Sequence, residues 1–141
     1  LWSLYERYNQ SYAILTMDID HFKSINDKHG HVLGDKTLIH FSNIVKEAVR
    51  EPDSLYRIGG EEFAVLPNKV DKDACIHIAE RIRKAVFDNP LQLDSGEICY
   101  TVSIGVTLSS KTDKNIEDSY KRADKALYQA KEEGRNKVVY L

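Results

Sequence analysis

Two acidic clusters have the residue types and spacing for chemistry. Asp18 and Asp20 close an apolar run at 12–19 (YAILTMDI), and Glu61 and Glu62 follow a Gly59–Gly60 pair. Alternate residues of an extended chain share a face, so the carboxylates of Asp18 and Asp20 project to one side. If the run beginning at Glu61 pairs with the first, Asp18 and Glu61 meet across a sheet. Two carboxylates together with substrate phosphates are a usual way to hold Mg²⁺. Glycines beside them let a nucleotide approach the backbone. Strand-end acids are equally at home in solvent, and spacing alone serves both readings. Lys131 and Arg135 close the last helical pattern. They could bind phosphates, but on pattern alone complementing the helix dipole's negative end comes first. His29 and His31 flank Gly30 with too few further ligands for zinc, so a turn or loop is expected there. Lys23 reads as a surface lysine.

The elements that must position these residues follow from periodicity. The run 12–19 predicts a strand buried on both faces. A short helix over 22–29 stops at Gly30. A longer one is expected over 35–50, where Leu38, Phe41, Val45 and Ala48 recur every three or four positions, with Pro52 ending it. The β-prone runs 54–58 and 61–66 flank Gly59–Gly60 and predict a tight hairpin whose glycines take positive φ. A helix over 71–88 carries Cys75, Ile78, Ile82 and Ala85 on one side. Pro90 opens a small hairpin turning at Asp94, Ser95 and Gly96. Residues 97–108 alternate as a half-buried antiparallel strand does. The last helix, 116–133, has Ile116, Tyr120, Ala123, Leu127 and Ala130 as its stripe. Asn115 is its expected N-cap, with Gly134 just beyond its end. Glu117–Lys121 and Asp118–Arg122 are expected helix pairs. The chain closes in a strand over 137–141. This order predicts one α+β domain over 1–141: a mostly antiparallel central sheet flanked by helices.

Composition limits the partners. Twenty basic and 22 acidic residues leave a formal net charge of −2. That gives no basic excess for nucleic acid or a membrane surface, and neither is expected as a direct partner. Cys75 and Cys99 form no CxxC pair and read as free thiols in a reducing compartment. No apolar run approaches the roughly 18 residues of a membrane span, and the start lacks the order of a signal peptide. A cytoplasmic location is expected, with a membrane tether on the parent protein left open. The chain begins with Leu rather than Met and reads as an excised fragment.

Residues 57–63 (RIGGEEF) resemble the signature turn of the GGDEF family of diguanylate cyclases, in its GGEEF form. Residues 18–27 (DIDHFKSIND) resemble that family's metal-and-phosphate segment, and His31 and Gly34-Asp35 follow at its spacing. Residues 103–106 (SIGV) and 130–136 (AKEEGRN) resemble its two later landmarks. The likeness runs from about residue 12 to the end. One departure concerns the start. Relatives carry an Asp-x-Leu-Thr-Gly-Leu and Asn-Arg-Arg segment before the first strand, and residues 1–10 (LWSLYERYNQ) have none, so that segment is expected to be truncated or replaced.

The resemblance implies a palm-like sheet as in nucleotidyl cyclases, and roles by position. Asp18 and Glu61, with the Ile19 carbonyl, would hold Mg²⁺ (or Mn²⁺). Glu62 would lie beside the metal and deprotonate the ribose 3′-hydroxyl. Asn26 and Asp35 would read the guanine edge. His21, Phe22 and Lys23 would line the phosphates through backbone N–H groups. Lys131 and Arg135 would neutralise the triphosphate, and Gly59 and Gly60 would make room for base and ribose. Asp20 and Asp27 stay structural acids. The implied reaction joins two GTP into cyclic di-GMP plus two pyrophosphates in a twofold homodimer. Arg50-Glu51-Pro52-Asp53 matches the family's RxxD product-inhibitory motif, with Arg81 as a further contact. A surface ion pair is the plain alternative there. A catalytically weak GTP or cyclic di-GMP sensor, or a mononucleotide cyclase on the same palm, are the rival functions.

Overall fold

A computed structural model of the chain describes residues 11–49 and 55–141. The order is β1 (Ala13–Ile19), α1 (Phe22–His29), α2 (His31–Ala48), β2 (Leu55–Arg57), β3 (Glu62–Val65), α3 (Lys72–Asp88), β4 (Leu91–Leu93), β5 (Gly96–Ile98), β6 (Val102–Leu108), α4 (Ile116–Glu132) and β7 (Val138–Tyr140). Five strands form one sheet in the order β2-β3-β1-β6-β7, and β4 with β5 makes a separate hairpin. Among the described residues, only the β6–β7 pairing is parallel. The expected α+β class and mostly antiparallel sheet are what the chain adopts. No described helix is long and apolar enough to cross a membrane.

β1 is central, and its alternation feeds two cores. Ala13, Leu15, Met17 and Ile19 pack with Phe41 and Val45 of α2 and with Cys75, Ile78 and Ile82 of α3. Tyr12 and Ile14 pack on the opposite face with Ala64, Ile116 and Ala123, beneath α4. Asp18, Glu62 and Ser103 fall on this second face, because Asp18 and Glu62 continue the even positions of their strands and Ser103 is registered opposite Asp18. The first strand is therefore buried on both sides, as its nearly all-apolar run predicts.

Several boundaries differ from the sequence reading. The second helix starts at His31 rather than residue 35, because Gly30 (φ 87°) breaks the helix for one residue only. The stretch 97–108 is two strands interrupted at 99–101, and β6 is buried on both faces rather than one. Its small polar positions face a helix instead of water. Gly105 lies against the backbone of α4, where a Cβ would come within 2.2 Å of both the Ala123 carbonyl oxygen and the Leu127 nitrogen. Gly59 and Gly60 do not take positive φ. Ile58 N–H and Gly59 N–H both donate to the Glu62 carbonyl, so the turn runs over 58–61 and needs no left-handed residue. Asn115 caps α4 as expected, accepting from Asp118 N–H.

Arg122 does not pair with Asp118. It forks onto Asp113, at 2.8 and 3.0 Å, and donates to Thr107 Oγ1. The Asp113 side chain is only 6% exposed. The Arg122 guanidinium, with further hydrogen bonds from Ser110 and Ser119, holds its carboxyl down at about 2. A depressed acid stabilises the fold fully above its unfolded pKa of about 4, and that contribution disappears as pH falls through about 2. The stability gap between wild type and Asp113→Asn, followed by urea unfolding, is therefore expected to be widest above pH 4 and to close towards pH 2. A gap independent of pH would contradict this.

Candidate functional site

The acidic end of β1 is where the candidate residues converge. Asp18 is registered opposite Glu62 in β3 and opposite Ser103 in β6. The expected cross-strand partner was Glu61; the turn consumes that residue, and β3 begins one position later. Both acids are partly buried, and burial is the largest cause raising the carboxyl pKa of each. Lys131, near the end of α4, donates to Asp18 Oδ2 and opposes that rise. Asp18 Oδ1 is buried with no hydrogen-bond partner among the described residues. Glu62 accepts from the Tyr120 hydroxyl at 2.7 Å, while neighbouring Asp124 and Asp18 push its pKa further up. The cluster therefore holds more negative charge than one ammonium balances, and it has an unsatisfied oxygen. Those are the features of a cation site. Among the described residues no three His, Cys, Asp or Glu groups would hold a metal unaided, so an ion there would draw remaining oxygens from a ligand such as a phosphate.

Asp20, by contrast, is fully engaged in structure. It accepts from Thr101 and Ser103 hydroxyls and from Asn136 N–H, at 2.7, 2.6 and 3.0 Å. These bonds pin the turn after β1 to the loop after α4. In that loop Gly134, Arg135 and Asn136 all have positive φ, and Arg135 is exposed.

The same turn exposes the start of α1. His21 is left-handed (φ 57°) and no side chain caps the helix. The first N–H groups of a helix have no intrahelical acceptor, and they favour anions. One turn on, the Asn26 carboxamide lies over Gly34, where a Cβ would fall 1.7 Å from Asn26 Oδ1. That oxygen too is buried without a partner, and Asp35 is exposed beside it.

A family profile described as "Diguanylate cyclase, GGDEF domain" matches residues 1–137. The chain belongs to the GGDEF family. It is 42% identical to Diguanylate cyclase A of Treponema denticola over 130 residues, 92% of this chain and 35% of that protein. It thus spans about a third of that curated relative. The fold superposes on the GGDEF domain of DgcB from Caulobacter crescentus, solved with c-di-GMP, with a TM-score of 0.89 at 30% identity, covering 98% of this chain and 82% of that one. The active GGEEF domain of a diguanylate cyclase from Vibrio cholerae gives a TM-score of 0.88 at 32% identity, covering 98% and 87%.

The GGEEF turn itself is held from within. Arg57 donates through Nε to the carbonyls of Gly59 and Gly60, and through Nη2 to Gly60 at 2.6 Å. No described residue comes within 4 Å of a Cβ built on either glycine, so among the described residues the space beside them is open. Glu61 makes no hydrogen bond or ion pair among the described residues. Of the RxxD motif, Arg50 and Asp53 lie outside the described residues. Arg81 donates to the Ala48 carbonyl and lines a cavity of about 480 Å³ with His40, Ile44, Glu47 and Asn89. Tyr120 and Asp124 were not singled out from sequence. Tyr120 reads there as part of an apolar stripe, and only the packing of α4 over β1 and β3 brings its hydroxyl to Glu62.

Proposed function

We propose that this GGDEF domain condenses two GTP into cyclic di-GMP, releasing two pyrophosphates. The observation that carries the reading is the unsatisfied Asp18 carboxylate oxygen on the same sheet face as Glu62, with Lys131 beside it. Asp18 and Glu62, joined by Glu61 and the Ile19 carbonyl, are the residues that would hold Mg²⁺ or Mn²⁺. Such an ion, when bound, neutralises triphosphate charge and lowers the pKa of an attacking hydroxyl. The N–H groups of His21, Phe22 and Lys23 at the start of α1 bind phosphate oxygens, and Lys131 and Arg135 add positive charge. Asn26 and Asp35 take the guanine edge, and the open space at Gly59 and Gly60 admits the ribose.

In each of two steps a ribose 3′-oxygen bonds to the α-phosphorus of the other GTP. The bond from that phosphorus to its bridging oxygen breaks, and pyrophosphate leaves. Glu62 takes the hydroxyl proton, a role that its pKa, raised mainly by burial, supports. One domain offers one such site, so two copies face each other about a twofold axis. Arg50, Asp53 and Arg81 would bind the product and restrain turnover. The free thiols Cys75 and Cys99 support a cytoplasmic place of action.

The test is incubation with GTP and Mg²⁺, with products identified by mass across a range of protein concentrations. Cyclic di-GMP and pyrophosphate in a 1:2 ratio, at a rate rising faster than linearly with protein, is expected. Nucleotide binding without pyrophosphate release at any concentration would make the domain a sensor instead.

Gly34 offers a separate check on guanine recognition. Gly34→Ala forces the Asn26 side chain to swing away, which a flexible side chain can do. The KM for GTP is then expected to rise about tenfold, the usual scale for losing a base-reading hydrogen bond, with kcat and thermal midpoint little changed. An unaltered KM would remove Asn26 from the guanine site.

A further inference from the structure

The hydroxyl of Tyr120 meets the acidic site through Glu62. We propose that Tyr120 is a positioning residue, which fixes the Glu62 carboxylate so that its second oxygen faces the divalent ion shared with Asp18. The inference rests on the function proposed above. Tyr120 lies on α4 and donates to Glu62 Oε1 at 2.7 Å. Asp124 also comes within hydrogen-bonding reach of that carboxylate, but an ionised Asp124 has no proton to donate. Its ring packs against the buried cluster of Tyr12, Ile14, Ala64, Leu66, Ile116 and Ala123, so the hydroxyl is carried on a rigid, anchored arm.

Glu62 needs such an arm. Asp18 faces it across the strand pair, and Asp124, one helical turn beyond Tyr120, bears on it from α4. Both are like charges, and each pushes the Glu62 carboxylate away from the site. A glutamate has three rotatable side-chain bonds and would relax towards solvent if nothing held it. With Oε1 engaged by Tyr120, Oε2 remains as the acceptor for a cation. The device also explains why an aromatic residue with a polar tip stands in an otherwise apolar helix stripe: the ring serves the core while the tip serves the site.

Tyr120→Phe removes the hydroxyl and keeps the ring. The affinity for Mn²⁺ in the presence of a non-hydrolysable GTP analogue, read by electron paramagnetic resonance of the free ion, is expected to weaken about tenfold, the equivalent of one hydrogen bond to a charged acceptor. The thermal midpoint should stay close to wild type. The same substitution in a Glu62→Ala background should leave Mn²⁺ affinity unchanged, because the acceptor of the Tyr120 hydroxyl is gone; a purely structural role would weaken it there as well. Equal Mn²⁺ affinity in wild type and Tyr120→Phe, or an equal loss in both backgrounds, overturns the inference. Absence of Mn²⁺ uptake by the wild-type protein would sink the proposed function and this inference together, whereas uptake indifferent to Tyr120 sinks only the latter.

Discussion

Replacing Asp18 with Asn is expected to lower the rate of cyclic di-GMP formation by about a thousandfold or more, the scale on which losing electrostatic support at a phosphoryl-transfer centre is felt. An amide keeps the shape but not the charge, and it offers Lys131 no ion pair. Stability should move the other way, or not at all. Burial raises the Asp18 pKa above its unfolded value despite the Lys131 ammonium. Ionised Asp18 at neutral pH is thus less favourable in the folded chain than in the unfolded one, and removing the charge relieves that cost. Lys131 is one-third exposed and stays solvated without its partner. A thermal midpoint at or above wild type, with turnover nearly abolished, is the expected pair of results. Retained turnover would remove Asp18 from the site, while lost turnover with a collapsed midpoint would make its role structural.

Gly105→Ala is expected to destabilise the domain by roughly 3 kcal/mol or more, in the range of severe overpacking. The added Cβ meets backbone atoms of Ala123 and Leu127 at 2.2 Å, and a helix backbone cannot rotate out of the way as a side chain can. α4 would have to lift from β6. Because α4 also carries Tyr120 and Lys131, turnover should fall along with the urea midpoint. An unchanged midpoint would mean that α4 does not pack as closely as described. The contrast with Gly34 is instructive, since there the obstructing atom is the tip of a side chain, and recognition rather than folding is what should suffer.

The elements were largely legible because β1 and the helix stripes obey simple periods. β6 reads as half-buried, since Ser103, Gly105 and Thr107 look solvent-facing in a sequence. Each instead serves a buried contact: Ser103 bonds Asp20, Gly105 admits α4, and Thr107 donates to the Leu141 carbonyl. The acids of the site were legible by type, but their pairing was not. The hairpin turn took four residues rather than two, and that shift of one position exchanged Glu61 for Glu62 opposite Asp18. Tyr120 was invisible for a related reason. A helical stripe names the residues that face the sheet, yet it does not say how far along a strand each will reach.

Asp18 and Glu62 are expected to act as one unit. A double-mutant cycle on the initial rate of cyclic di-GMP formation, using Asp18→Asn, Glu62→Gln and both together, tests it most directly. Each single variant is predicted to lose nearly as much as the double, because removing either carboxylate dismantles the same site. Losses that multiply independently, or a single variant that keeps wild-type rate, would contradict it.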